Sequence, residues 1–370
     1  MLTHKKKMNL QIVQVKDTLW LTTLKKLYYD VYHLPEYVYL ESLRTKTIPE
    51  AILIEEGEKI CFIPYLLRNI DHTYKQNSLE EHVFDAVSPY GYPGFLFSSS
   101  ALKSPEFIKA AIDKFVSELR SKNVCSAFLR LHPILNDGLD KIFPAAICQI
   151  TGETVSVNLK LSSEEIWQHT KSGHRNKINR CKRREFKVEI VNLKDYLGEF
   201  REIYKETMDR VGASAGYYFD EFYFSYLATE LADNIHLAIV KSKDNEIGCA
   251  GIFTECNGIV QYHLGGTRNK YLKEAPSKLM FDYVRYWAKE RGNEYLHLGG
   301  GLGGSKDDNL FRFKAGFSKQ RHIYLTVRLV TEEEKYLALT DLQAKKLNIA
   351  PDKLLTSNFF PAYRYNGRSL

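Results

Sequence analysis

The sequence predicts a mixed α/β (α+β) protein made of two tandem subdomains, each a mixed, largely antiparallel sheet flanked by helices. A length of 370 residues exceeds that of one ordinary domain. Apolar residues make up 44% and charged residues 26%, a composition typical of a globular protein. A strand–helix–strand pattern occurs once in each half of the chain, which indicates an internal duplication.

The helix of each repeat begins at a proline, a residue favoured in the first helical turn. In the first half, the helix begins at Pro105, and the apolar run VCSAFLRL that follows it predicts a buried strand. In the second half, the helix begins at Pro276 and ends before Gly292, and EYLHLG is the next strand. The same elements therefore occur in the same order twice.

Antiparallel strands precede both repeats. Gly57 lies in the turn of a predicted hairpin in the first half, and turns at Asn245 and Gly258 predict a three-strand meander in the second. We therefore expect an N-terminal subdomain over residues 1–160 and a C-terminal subdomain over residues 161–370, the second ending in an amphipathic helix and a tail.

Cysteine usage and the chain start favour a cytoplasmic protein. The cysteines are scattered singly, without CxxC or paired-histidine spacing, so we expect reduced thiols and no metal site. They are Cys61, Cys125, Cys148, Cys181, Cys249 and Cys256. The basic N-terminus lacks the apolar region of a secretory signal, and no run approaches the roughly 18 apolar residues of a membrane span.

Five glycines occur between residues 299 and 304. Their spacing fits a dinucleotide-binding fingerprint, but that fingerprint requires a long helix directly after the loop. The following segment shows no helical stripe, since Phe311 and Phe313 alternate as on a strand. The stretch therefore predicts a loop in which Gly300 and Gly301 let the backbone approach a ligand closely.

A basic segment covers residues 171–187, with eight Lys or Arg and a single acid, Glu185. Such a cluster produces a local positive potential that attracts phosphates. It is either a solvated helix face or a docking surface for a polyanion. The polyanion would be a nucleotide diphosphate, a tRNA stem or an anionic lipid head group, the last through peripheral contact with a membrane.

The order of these segments resembles that of the Fem family of peptidoglycan-bridge aminoacyl transferases. The resemblance is strongest from Trp167 to Phe317, with FKAGF (Phe313–Phe317) as its most specific piece, and the basic segment is similar to a basic helix of that family. It implies two GNAT-like subdomains and an acyltransferase. An amine on a cell-envelope precursor, of peptidoglycan or surface polysaccharide, would attack an activated acyl carbon. The donor would be aminoacyl-tRNA or acyl-CoA, without a tightly bound cofactor.

The resemblance also implies roles for particular residues. Lys314 would stabilise the developing negative charge or hold the terminal nucleotide of the donor, and Phe313 would stack beside it. Tyr262 matches a tyrosine that lies near the acceptor in this family. Arg175 and Lys177 would contact phosphates of the nucleotide- or lipid-linked acceptor. Core packing for the aromatic residues and a solvated surface for Lys314 are the alternatives.

Several side chains could accept the proton of the attacking amine. Asp307 and Asp308 follow the glycine loop, where a carboxylate could act directly or through water. His263 and His297 end strands at the same pole and titrate near neutral pH. A solvated carboxylate pair and satisfied core histidines are the competing interpretations.

Two departures from known patterns bear on the substrates. The Fem family has a carboxylate after a glycine-proline turn in its first half, whereas this chain has Tyr90 and Tyr92 there, so we expect a differently built acceptor pocket. At the second repeat, Glu274 repels phosphate and Pro276 removes a backbone N–H, which weakens a coenzyme A site. The alternatives are an acyl-CoA-dependent N-acetyltransferase acting on an amino sugar and a non-catalytic module that binds tRNA or anionic lipid.

Overall fold

The computed structural model describes residues 7–70, 82–302 and 307–367. They form two compact units. The first runs up to Thr151 and resumes at Tyr324, and the second is Gly152–Ile323. Each unit is a mixed sheet with helices packed on it, which confirms the predicted fold class. The expected subdomain boundary between residues 160 and 161 stays a prediction.

The first unit contains the predicted hairpin and the first strand–helix–strand repeat. Its strands are β1 (Asn9–Gln14), β2 (Ile48–Glu56), β3 (Lys59–Asn69), β4 (Phe84–Val87), β5 (Leu96–Phe97), β6 (Val124–Arg130) and most of β13 (Arg321–Val330). Its helices are α1 (Thr18–Leu24), α2 (Pro35–Thr45), α3 (Ser99–Leu102), α4 (Pro105–Ser121), α11 (Glu333–Leu347) and α12 (Pro351–Leu355). Helix α11 is the amphipathic helix expected near the C-terminus.

The sheet of the first unit has the order β1-β2-β3-β4-β6-β13. Neighbouring strands are antiparallel except β4 and β6, which are parallel and connected through α4. The apolar stripe of α4, including Ile108, Ala111 and Phe115, is buried against this sheet. Such a stripe is the expected packing face of a helix on a sheet.

The second unit contains the meander and the second repeat. Its strands are most of β7 (Cys148–Asn158), then β8 (Lys187–Val191), β9 (Ile235–Lys241), β10 (Ile247–Cys256), β11 (Ile259–Thr267) and β12 (Tyr295–Gly299). Its helices are α5 (Ser163–His169), α6 (Ser172–Arg183), α7 (Leu197–Val211), α8 (Glu221–Glu230), α9 (Pro276–Glu290) and α10 (Asn309–Ala315).

The sheet of the second unit repeats the pattern of the first, in the order β7-β12-β11-β10-β9-β8. Its one parallel pair in the described part of the chain, β11 and β12, is connected through α9. The predicted turns are present, with Asn257 and Gly258 at positive φ between β10 and β11.

Each unit contains one strand that comes, in sequence, after the repeat of the other unit. Strand β7 comes after β6 but pairs with β12 of the second sheet. Strand β13 comes after β12 but pairs with β6 of the first sheet. The duplication visible in the sequence is therefore combined with an exchange of the terminal strands.

The strand-like interpretation of Phe311 and Phe313 is wrong, because both residues lie in helix α10. The helix is seven residues long and is capped by Asp308, whose side chain accepts a hydrogen bond from the Phe311 N–H at 2.7 Å. An aspartate at this position satisfies one of the unpaired N–H groups of a first turn. The apparent alternation arises because the helix is too short to show its period.

Candidate active site

Lys314 is a buried lysine at the C-terminal end of α10. Its side chain is in contact with the end of β12, where Nζ donates a hydrogen bond to the carbonyl oxygen of Gly300 at 2.6 Å. The ammonium lies 5.8 Å from the centre of the Tyr262 ring, within the range of a cation–π contact. Only 7% of the residue is exposed. A cation this deeply buried is uncommon and points to a functional role.

The parallel strands β11 and β12 part beside this lysine. They pair from Ile259 to Gln261 on β11, and β11 then continues to Thr267 without β12 as a partner. A register shift against β10 leaves His263 as an extra residue between Tyr262 and Leu264. Such a bulge bends a strand and redirects its side chains, and bulges are frequent next to active sites.

Tyr262 is directed toward the α9 side of the sheet, where it packs against Phe281 with ring centres 4.8 Å apart. Its hydroxyl lies over Gly265, where a Cβ atom would come within 2.7 Å of the hydroxyl oxygen. Burial raises the pKa of Tyr262, so the phenol stays protonated and available as a hydrogen-bond donor.

The start of α10 is fitted closely to the glycine loop. A Cβ atom at Gly301 would overlap the Asp308 Oδ1 atom, so only glycine leaves room for the helix cap. Gly300 supplies the carbonyl that Lys314 contacts. The two predicted glycines thus adjoin the lysine, whereas Gly303 and Gly304 lie outside the described residues.

Burial lowers the pKa of Lys314 to about 8, and the nearby Asp308 carboxylate acts in the opposite direction. At pH 7 the lysine is therefore about nine-tenths protonated. We define the Lys314 site as Lys314, Gly300, Tyr262 and Asp308. Chemically, it offers a poorly hydrated ammonium that can donate hydrogen bonds to an oxyanion.

Other predicted residues have contacts of their own in the second unit. Phe313 packs against Phe281 and Phe317 at ring distances of 5.6 and 5.4 Å. Asp307 is exposed and forms an ion pair with Arg312. His263 is bonded to the Tyr223 hydroxyl of α8 at 2.9 Å. Their roles in catalysis or binding stay predictions.

The remaining predicted residues are in other places. His297 is fully buried and bonded to Gln261 and Thr154, which agrees with the satisfied-core interpretation. In the first unit, the backbone N–H of Tyr90 donates to Glu41 at 3.2 Å, and Tyr92 packs edge-on against Tyr324. The predicted binding roles of Tyr90 and Tyr92 are not tested by these contacts.

The basic segment forms α6, and part of its charge is used within the protein. Glu274 forms ion pairs with Arg184 at 2.5 Å and Arg180 at 3.2 Å. The side chains of Arg180 and Lys177 also donate to the carbonyl of Lys273. Helix α6 is therefore tied to the loop that precedes α9.

Other cations of α6 remain available to a partner. Lys171, Arg175 and Arg183 have no acidic partner among the residues that the structure describes. Lys182, by contrast, is paired with Asp282 at 3.0 Å. Both interpretations of the basic segment therefore hold in part, since one set of its charges is structural and another faces solvent.

His174 was not singled out from the sequence. It lies on the buried face of α6 with Ile178 and Cys181, and it is bonded to the carbonyl of Phe313. The spacing of these three residues is that of the buried face of an amphipathic helix, and this spacing is the signal that could have identified His174. The basic residues around it made the pattern difficult to recognise.

Comparisons with known proteins find a matching domain family and similar folds. Residues 168–314 match the family model described as an acetyltransferase (GNAT) domain. FemX has a similar structure, with a TM-score of 0.66 and 12% identity, over 88% of this chain and 98% of that chain. L-PGS from Bacillus licheniformis gives a TM-score of 0.51 at 15% identity, over 86% of this chain and 93% of that chain.

A conserved protein of unknown function from Bacteroides thetaiotaomicron gives a TM-score of 0.52 at 11% identity, over 87% of this chain and all of that chain (100%). No curated protein matches the sequence. Within the described ranges, no helix is both long and apolar enough to cross a bilayer. Residues 168–314 therefore match a GNAT domain and the chain has the fold of FemX, in agreement with the Fem-like GNAT resemblance seen in the sequence.

Proposed function

We propose that this protein transfers an aminoacyl group from aminoacyl-tRNA to an amine of a phosphorylated cell-envelope precursor. The precursor would be a nucleotide- or lipid-linked intermediate of peptidoglycan or of a surface polysaccharide. The observation that carries this proposal is the buried Lys314 ammonium at the end of β12, beside the point where β11 and β12 part.

In the proposed reaction, the acceptor amine attacks the ester carbonyl carbon of the donor. An amide bond forms, the ester C–O bond breaks, and the proton lost by the amine ends on the departing ribose hydroxyl. Lys314 donates a hydrogen bond to the oxyanion of the tetrahedral intermediate, and the protonated Tyr262 hydroxyl is the second donor. Asp307 or Asp308 relays the proton.

The loop before α9 favours tRNA over acyl-CoA as the donor. A pyrophosphate would need free N–H groups and a positive potential there. Instead, Glu274 stands at this position and is paired with Arg180 and Arg184, and Pro276 lacks an N–H. These features support a donor whose phosphates are held elsewhere.

Phosphate contacts are assigned to Arg175 and Lys177, since cations on α6 raise the local positive potential. Phe313 and His263 would contribute to binding in the second unit, and Tyr90 and Tyr92 would bind the acceptor from the first. The reaction belongs in the cytoplasm, where aminoacyl-tRNA is found, and needs no tightly bound cofactor.

An acyl-CoA-dependent N-acetyltransferase is the second candidate, because the matched family model is described as an acetyltransferase domain. It would share the Lys314 chemistry, and the acceptor would be an amino sugar. The two candidates differ in the donor and the acceptor and share the chemistry at the acyl carbon.

The test combines purified protein with tRNA charged with radiolabelled amino acids, or with labelled acetyl-CoA. A nucleotide-linked muropeptide and a nucleotide-linked amino sugar serve as acceptors. We expect transfer from charged tRNA, its loss in Lys314→Met, and its retention in Lys319→Met, which alters an exposed lysine five residues away. Transfer from acetyl-CoA alone would replace the proposal with the second candidate. Transfer that persists in Lys314→Met would overturn the mechanism.

A further inference from the structure

The C-terminal carbonyls of α10 are bonded by the residues that begin α6. The Lys171 N–H donates to the Gly316 carbonyl at 2.8 Å, and the His174 Nε2 atom is 2.9 Å from the Phe313 carbonyl. A carbonyl oxygen can only accept, so His174 must carry its proton on Nε2. These bonds join the last turn of α10, where the Phe313 carbonyl also accepts from the Gly316 N–H at 3.1 Å, to the start of α6.

The imidazole of His174 is enclosed on several sides. Its ring centre is 4.7 Å from that of Phe317 and 5.6 Å from that of Phe313, and only 9% of the residue is exposed. Gly316 lies directly against the ring, since a Cβ atom there would overlap Nε2. The histidine and the glycine therefore fix the spacing between α6 and α10.

Further hydrogen bonds lie next to the contact between α6 and α10. Arg285 of α9 is fully buried and donates from Nη1 to the Thr170 hydroxyl at 2.6 Å. That hydroxyl lies 3.1 Å from the carbonyl of Ile166 and 3.5 Å from the carbonyl of Phe317, which follows α10. Arg285 of α9 thus supports, through Thr170, the segment that joins α5 to α6 beside the end of α10.

This support matters because α10 is only seven residues long. An isolated helix of that length is unstable in water. Lys314 directly follows the residue whose carbonyl His174 holds, so a shift of α10 moves its ammonium. Displacements of about 1 Å are enough to lower catalytic rates strongly.

We propose that His174 is a positioning residue, which sets the place of α10 and thereby directs the Lys314 ammonium onto the end of β12. It acts through the Phe313 carbonyl and touches neither donor nor acceptor. Burial, followed by the nearby Lys278, lowers the pKa of His174 to about 4, so it is a neutral donor at physiological pH. The inference rests on the proposed role of Lys314 in transfer.

The test compares His174→Phe, which fills the space without donating, with His174→Gln, which can still donate. His169→Phe, a change at a half-buried histidine of α5, is the matched control. The pKa of Lys314 is measured by competitive labelling with acetic anhydride and mass spectrometry. In the part of the chain that the structure describes, the charged and polar groups that face this lysine are Asp308, Tyr262 and the Gly300 carbonyl.

We expect the pKa of Lys314 to be about 8 in the unaltered protein and to rise toward its ordinary value in His174→Phe. It should stay near 8 in His174→Gln and in the control. The kcat of transfer should fall about 10- to 100-fold in His174→Phe with little change in KM, because positioning affects the transition state. Gly316→Ala, which displaces the imidazole from the other side, should reproduce both effects.

An unchanged Lys314 pKa in folded His174→Phe and Gly316→Ala would overturn the inference. If His174→Phe does not fold, Gly316→Ala and His174→Gln decide the outcome by the same labelling. A shifted pKa together with an absence of transfer in the unaltered protein would refute the proposed function and leave the positioning role intact. Transfer that is lost in Lys314→Met but retained in His174→Phe would support the proposed function and refute the positioning role.

Discussion

The Lys314 ammonium donates a hydrogen bond to the carbonyl oxygen of Gly300 at 2.6 Å, which joins the end of α10 to the end of β12. Both residues adjoin the place where β11 loses β12 as a partner. Among the described residues, one backbone carbonyl accepts from this buried cation, and an ammonium has three N–H groups that can donate to protein or ligand.

Replacing Lys314 by methionine should lower kcat by about 100- to 1000-fold, the loss typical of removing one oxyanion donor. Methionine has a similar length and no charge, so the packing around Phe281 and Tyr262 is retained. Steady-state rates and circular dichroism are the measurements, with Lys319→Met as the control. A decrease of less than threefold would exclude Lys314 from the chemistry.

The stability of the protein should depend on pH through the same lysine. Its pKa is about 8 in the folded protein and has its ordinary value of 10.5 in the unfolded chain, so between these values the unfolded chain binds more protons. The contribution of Lys314 to the free energy of unfolding should therefore rise with pH between about 8 and 10.5, by about 3 kcal/mol. Buried cysteines such as Cys125 and Cys249, whose pKa is raised by burial, contribute in the opposite direction in the unaltered protein and in Lys314→Met alike, so the difference between the two proteins isolates Lys314. Urea unfolding across this range measures the effect. Lys314→Met should remove this rise, and an identical slope in both proteins would contradict the assigned pKa.

Gly301→Ala should destabilise the protein by about 1–3 kcal/mol, because its methyl group would overlap the Asp308 carboxylate that caps α10. Gly198→Ala is the matched control. It lies in the first turn of α7 with nothing within 4 Å of the added carbon, and we expect equal or slightly higher stability. Thermal unfolding measures both. Equal melting temperatures in the two variants would show that the α10 cap tolerates a side chain at residue 301.

The solvent-facing charges of α6 should contribute to polyanion binding, whereas its paired charges should not. Arg175→Ala should weaken binding of tRNA and reduce the slope of log K against log salt by about 1. Lys182→Ala removes a lysine already paired with Asp282 and should leave the slope nearly unchanged. Filter binding at several salt concentrations gives the slopes. The same slope decrease in both variants would mean that the ion pair leaves Lys182 available to phosphate.

The sequence was sufficient to predict the long helices but not the short helix α10. Helices α4 and α9 were predictable because each begins at a proline and repeats its apolar stripe over several turns. Helix α10 was not, since two turns carry too few residues to reveal a period. Asp308 was noticed as a carboxylate, but its hydrogen bond to the Phe311 N–H shows that it also caps the helix.

Gly300, Gly301 and Asp308 could be singled out from the glycine-rich loop, whereas Lys314 could be identified only through the resemblance to a family. Lys314 was named in this way, and its burial and low pKa could not be read from its neighbours in sequence. His174 and Gly316 were missed because their importance lies in a contact between segments about 140 residues apart. The many basic residues of α6 indicate a charged surface, so the apolar face of the same helix is easily overlooked.

The exchange of terminal strands has a consequence for how the chain matures during synthesis. The sheet of the first unit lacks β13 until translation has passed residue 330, whereas β7 is made before the rest of the second unit. The N-terminal half therefore emerges from the ribosome with one sheet edge uncovered, which is a hazard for aggregation. A nascent chain that stalls before residue 321 should depend on chaperones, although the whole second repeat has already been made.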